Sequence, residues 1–160
     1  MALIDNIQAY WKLDESSGDA ADATGGGFTM TNIGTATYAA AVINNGGVLN
    51  GTSQAFANAS SSLYPTGDFS IAMWVNFSAY NSANLYSFFT VLNADLGSTT
   101  RRYDFLQNVS ANKMWFRVYN VAGTGVSGEV SWTPSTATWY HIGISFVLST
   151  GTAQFFVDGA

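Results

Sequence analysis

At 160 residues, with a net charge of −5 and only five Lys and Arg residues, the chain is poorly suited to neutralise nucleic-acid phosphates. It has no cysteine, which excludes a disulfide framework, and no apolar run long enough to span a bilayer. We therefore expect no nucleic-acid partner and no membrane insertion. A 15% aromatic content with 16 Gly and 2 Pro is typical of many short strands joined by tight turns.

The first third of the chain carries weak strand signals. Residues 7–13 form the first strand candidate. The span from Gly18 to Gly46 is small, polar and Gly-rich, which predicts a long ordered loop. Short strands are predicted at 47–50 and 53–57, bounded by Asn-Gly turns in which positive φ costs little.

The strongest periodic signal lies in residues 69–77. Odd positions read Phe, Ile, Met, Val and Phe, and this alternation predicts a strand with one apolar face toward the core. Trp74 lies in the other row. We expect a loop such as 20–45 to cover that face and make Trp74 part of the core.

Further strands are predicted along the rest of the chain. The alternation is clear at 114–118 and 140–146 and weaker at 86–92, 102–107 and 152–158. Strands that recur about every 8 to 12 residues favour a sandwich or a barrel.

Several blocks, taken in this order, resemble the laminin G-like, concanavalin A-like jelly-roll family. They are Tyr10-Trp11-Lys12-Leu13-Asp14-Glu15, Asp22 to Gly27, Gly47 to Gly51, Phe69-Ser70-Ile71-Ala72-Met73-Trp74-Val75, and Trp139-Tyr140-His141 with Phe155 to Gly159. The resemblance implies an all-β, two-sheet antiparallel β-sandwich, with residues 1–160 forming a single domain. It also implies a non-catalytic binding module whose partner is a glycan or a protein surface.

The resemblance carries one departure at the end of the chain. In the family, the turn at Asp158-Gly159 continues into further strand, so we expect the final strand or strands to be missing. An open sheet edge exposes unpaired backbone groups. We therefore expect the terminal strand either to pair in an edge-strand homodimer or to be less well ordered than 69–77.

Catalysis is not expected. Related glycoside hydrolases place two carboxylates about 5 to 9.5 Å apart. Glu15 and Glu129 are the only glutamates, and no strand alternates two carboxylates. His141 is the only histidine, and its place in Trp139-Tyr140-His141 matches a packing residue in the family.

Calcium is the one cofactor that the resemblance implies. Many family members hold a structural Ca²⁺ at the rim of the sandwich, where Asp22 and Asp158 occupy the matching positions. Ca²⁺ prefers six to eight oxygen ligands. The alternative is that both carboxylates cap their own turns.

Sugar binding is the second ligand hypothesis. Trp115, Arg117 and Tyr119 alternate with the apolar row at 114, 116 and 118, so they share the outward face of a strand. Arg102 and Tyr103 are predicted to join them, because an aromatic face with a few polar groups suits a saccharide. Two alternatives are that a loop covers this face and that the module binds proteins with no small ligand.

Localisation follows only from the family, which favours an extracellular, cell-surface or phage-virion setting. The start, Met1-Ala2-Leu3-Ile4-Asp5, does not resemble a signal peptide.

Overall fold

A computed structural model of the protein describes residues 6–79, 85–92, 101–119 and 125–160. The backbone divides into two compact units, Met1–Tyr64 and Pro65–Ala160. All strand pairs described in either unit are antiparallel, which confirms the all-β prediction. That residues 1–160 form one domain stays a prediction.

The first unit contains two small two-stranded sheets. Their strands are β1 (Thr31–Ile33), which pairs with β4 (Ala55–Ala57), and β2 (Thr37–Ala40), which pairs with β3 (Asn45–Val48). A 3-10 helix, Ser61–Leu63, follows. The described residues contain no helix with the length and apolar character needed to cross a membrane.

Two sequence predictions for the first unit were wrong. The segment predicted as a loop from Gly18 to Gly46 contains β1, β2 and the start of β3. The strand predicted at 7–13 is reduced to an isolated bridge between Trp11 and Asp22. The pairs in this unit are three or four residues long, too short to show an alternating apolar row.

Close packing around one ring and one amide side chain orders these short strands. A Cβ on Gly47 would lie 2.6 Å from the Phe56 ring, so β3 can pass beneath that ring only with glycine. The Phe56 ring in turn contacts Tyr38, with centroids 5.5 Å apart. Asn32 closes the turn between β1 and β2, because its Oδ1 accepts from Ala36 N and its Nδ2 donates to Ala36 O, both at 2.8 Å.

The second unit is a two-sheet sandwich. Its strands are β5 (Phe69–Asn76), β6 (Leu85–Leu92), β7 (Arg101–Asn108), β8 (Lys113–Tyr119), β9 (Gly125–Ser131), β10 (Trp139–Val147) and β11 (Thr152–Val157). One sheet has the order β11-β10-β5, and the other has the order β6-β7-β8-β9. We call them the three-stranded and the four-stranded sheet.

Aromatic rings fill the space between the two sheets. Phe69 of the three-stranded sheet lies 5.1 Å from Tyr103 and 6.0 Å from Phe116 of the four-stranded sheet, measured between ring centroids. Phe146, the cross-strand partner of Phe69 in the same sheet, contacts Phe116 at 5.2 Å. The apolar rows predicted at 69–77, 114–118 and 140–146 face this core, which confirms the sandwich.

Trp74 does not belong to the core, so that prediction was wrong. Its side chain is 46% exposed on the outer face of β5, and its ring lies 5.1 Å from that of His141 on β10. The alternation of β5 places Trp74 in the outward row with Ser70 and Ala72. Periodicity was the better guide than the expectation of a covering loop.

The outermost strands of the three-stranded sheet are β5 and β11. β11 forms a regular ladder with β10 through six residue pairs. Pairing of this edge with a second copy of the chain stays a prediction.

Candidate functional site

The outer face of the four-stranded sheet carries most of the residues predicted to bind a ligand. Met114 and Phe116 of β8 are buried between the sheets, so Lys113, Trp115 and Arg117 face outward. We call these three side chains, together with Glu129 on β9, the β8 surface. The two strands are adjacent in the sheet, and Trp115 of β8 lies directly opposite Glu129 of β9.

Arg117 lies over the indole of Trp115, with its guanidinium carbon 4.1 Å from the ring centroid. This cation–π contact is worth about 0.5 to 2 kcal/mol and holds the planar group against the indole. Within the described residues, the guanidinium makes no hydrogen bond and no ion pair. Its N–H donors are therefore held in place and have no hydrogen-bond partner in the part of the chain that the structure describes.

The indole N–H of Trp115 is also unsatisfied. Nε1 is buried and has no hydrogen-bond partner of normal geometry among the described residues, although it lies close enough to Glu129 to lower the pKa of that carboxyl group. Leaving a buried donor unpaired costs about 1 to 3 kcal/mol. A ligand oxygen or a bound water at this position would remove that cost.

Glu129 has a second partner at the edge of the β8 surface. Lys113 Nζ forms an ion pair with Glu129 Oε1 across the β8–β9 ladder. The hydrogen bond and charge of Lys113, together with the Trp115 indole, lower the pKa of Glu129, and burial opposes them. Glu129 is therefore a carboxylate at neutral pH and acts as a hydrogen-bond acceptor.

Asp104 on β7 lies directly across from Arg117 in the ladder. Its side chain is buried, and Oδ1 accepts a hydrogen bond of 2.9 Å from Thr90 Oγ1. Sequence reasoning missed this buried acid. The sequence contained the signal. Asp104 alternates with Tyr103 and Phe105, so it lies in the outward row of β7, where it faces Arg117 of β8.

The remaining predicted ligand-binding residues do not all join the β8 surface. Tyr119 ends β8 in the same outward row and is half-buried. Tyr103 lies on the opposite side of its sheet, 1% exposed in the core, and its hydroxyl donates to Pro65 O at 3.1 Å. Arg102 belongs to β7, and its side chain lies outside the described residues.

Asp22, the predicted calcium ligand, is occupied by the donors of its own loop. Oδ1 accepts from the backbone N–H groups of Tyr10 at 3.1 Å and Thr24 at 3.0 Å, and from Thr24 Oγ1 at 2.7 Å. Oδ2 accepts from Phe28 N at 3.2 Å. Four donors use the roughly four acceptor positions of a carboxylate. This geometry fits the turn-capping alternative and does not fit a cation site.

The same hydrogen bonds set the ionisation of Asp22. Partial burial raises the pKa, but the bonds from Thr24, Tyr10 and Phe28 outweigh it and lower the pKa from 3.8 to about 2. The N–H and O–H donors of its own loop thus stabilise the carboxylate.

Asp158, the second predicted calcium ligand, bonds to the neighbouring strand β10. Its Oδ1 accepts from His141 N at 2.8 Å, and its backbone N–H donates to His141 O at 2.8 Å. The described residues contain no group of three or more His, Cys, Asp or Glu side chains arranged to hold a metal ion. Calcium binding stays a prediction.

The sandwich topology and the sequence blocks described above agree with a match to a known family. A laminin G family model, described as the concanavalin A-like lectin/glucanases superfamily, matches residues 49–160, and the chain belongs to that family. The match covers the whole second unit and the last part of the first. No curated protein and no solved structure was found to match the chain.

Proposed function

We propose that the protein is a non-catalytic carbohydrate-recognition module whose β8 surface contacts the sugar. The observation that carries this is the Arg117 guanidinium, which is held 4.1 Å from the Trp115 centroid and has no hydrogen bond within the described residues. Holding the group in advance reduces the side-chain entropy lost on binding. Family membership supports a lectin-like role.

The chemistry of the β8 surface suits a polyhydroxylated ligand. Arg117 and the indole N–H of Trp115 can donate hydrogen bonds to a ligand, and the ionised Glu129 can accept hydrogen bonds from one. A sugar hydroxyl can do both, so one ring with adjacent hydroxyls can pair with all three groups. In keeping with the family, we place such a module in a larger surface, virion or secreted protein.

A glycan array tests the proposal, with Trp115→Ala and Arg117→Ala compared with the parent. We expect some glycans to bind the parent in a dose-dependent way and to lose that binding in both variants. Arg117→Lys is the matched control, because it keeps the charge but loses the planar stack, and it should weaken binding by about tenfold. Circular dichroism must show that the variants remain folded.

The alternative function is a protein-interaction module with no small ligand. Silence of the parent across the array, together with capture of a protein partner that Trp115→Ala loses, would replace the carbohydrate proposal with this one. Hydrolysis of any arrayed glycan would contradict the non-catalytic part.

A further inference from the structure

The outer face of the three-stranded sheet bears an exposed group of aromatic side chains that the proposed function does not use. Trp74 on β5, Trp139 on β10 and Phe156 on β11 are 46%, 36% and 38% exposed. His141 lies opposite Trp74 in the ladder and contacts its ring at 5.1 Å. Apolar rings on the outward row of three adjacent strands form one surface.

This surface has a low floor between its rings. Gly143 pairs with Ala72 on one side and with Phe156 on the other, so the row that crosses the sheet at this level has almost no side chain at its centre, and Gly143 itself is buried between its neighbours. Trp74 and His141 form the next outward-facing pair, two residue pairs further along β5 and β10. From strand spacing and rise, Trp74 and Phe156 are about 12 Å apart at Cα, one at each side of the floor.

The polar groups around the floor are uncharged. Ser70 pairs with Ser145, which pairs with Gln154 on β11, and Asn76 pairs with Trp139. The three strands contain no Lys, Arg, Asp or Glu. Two carboxylates flank them: Asp68 before β5 accepts from Leu148 N, and Asp158 after β11 accepts from His141 N. A ligand with fixed negative charge finds no Lys or Arg partner on these strands.

We infer that this face is a second binding site, for a neutral, extended oligosaccharide that crosses the three strands over Gly143. Trp74 and Phe156 contact the C–H faces of two separate sugar rings, and the hydroxyl and amide side chains beside the floor pair with their hydroxyl groups. Two contacts about 12 Å apart need an oligomer rather than a monosaccharide.

A second copy of the chain fits this face less well. Three strands of up to eight or nine residues cover about 14 by 27 Å, or about 400 Å². A standard stable interface buries about 800 Å² on each partner. The rings are also interrupted by Gly, Ser and Gln, so a continuous apolar centre is lacking.

Calorimetric titration with soluble neutral glucan and mannan oligomers of increasing length tests the inference. We expect the affinity to rise from the monosaccharide to the oligomer, and Trp74→Ala or Phe156→Ala to weaken oligomer binding by roughly tenfold each. Trp74→Tyr keeps a ring and should retain most of the affinity. Both side chains are partly exposed, so these variants should fold; unchanged circular dichroism and melting within a few degrees confirm it.

The other sheet provides the matched control. Trp115→Ala and Arg117→Ala should leave neutral-oligomer binding at this face unchanged. Binding lost only in those variants would overturn the second site while supporting the β8 surface. Equal affinity for monosaccharide and oligomer, tighter binding of sulfated oligomers, no binding by the parent, or a dimer abolished by Trp74→Ala without sugar binding would each overturn the inference.

Discussion

The two compact units hold their strands by different means. In the second unit, rings such as Phe69, Tyr103 and Phe116 fill the space between two sheets. In the first unit the strands are short, and side chains such as Asp22 and Asn32 bond to backbone groups across turns. The comparison indicates that the second unit offers a rigid support for binding surfaces, while order in the first depends on individual polar contacts.

Loss of one core ring should give the largest decrease in stability. Phe116→Ala removes a buried side chain that contacts Phe69 and Phe146, and we expect a loss of about 3 to 5 kcal/mol in unfolding free energy. Urea unfolding measures it. Trp74→Ala is the control and should cost only about 1 kcal/mol, because that side chain is half-exposed. Equal losses in the two variants would contradict the assignment of inner and outer faces.

Loss of one loop carboxylate should give a smaller and more local effect. Asp22→Ala removes the acceptor for Tyr10, Thr24 and Phe28, and we expect a cost of about 1 to 3 kcal/mol. Amide hydrogen exchange should accelerate at Thr24 and Phe28 and stay unchanged in β8 and β10. Acceleration spread equally through both units would remove the distinction between them.

Acid should weaken the same loop. The pKa of Asp22 is about 2 in the folded chain and 3.8 ordinarily, so its contribution is complete above about pH 4 and is lost as the pH falls toward 2. Amide exchange and chemical shifts of Thr24, followed by NMR, should report this loss. In Asp22→Asn the dependence in this window should disappear. A transition that survives in Asp22→Asn would assign it to another group.

Calcium should have the smallest effect. Since the oxygens of Asp22 are filled by N–H and O–H donors, millimolar Ca²⁺ should leave the melting temperature unchanged. A rise in melting temperature that is absent in Asp22→Asn would instead support calcium binding at Asp22.

The alternation of apolar and polar residues predicted the sandwich because each long strand has one face toward solvent and one face toward the core. It failed where that contrast is missing. β1 and β2 are three and four residues long, and β7 carries apolar or aromatic residues in both rows, so Tyr103 could not be assigned to the inner face. Trp115 and Arg117 were placed together correctly, because β8 alternates without ambiguity. The alternation of β5 also places Trp74 on the outer face, and the error lay in the expectation that a loop covers that face.

The two sheets of the second unit lie back to back, about 10 Å apart, with the aromatic core between them. The core therefore separates a ligand on the β8 surface from a ligand bound over Gly143, and the two ligands must approach from opposite directions. If both surfaces are occupied, a single copy of the chain becomes a bridge between two separate polymers. Cross-linking would then need no oligomer, and a sugar-coated surface could be agglutinated by the monomer.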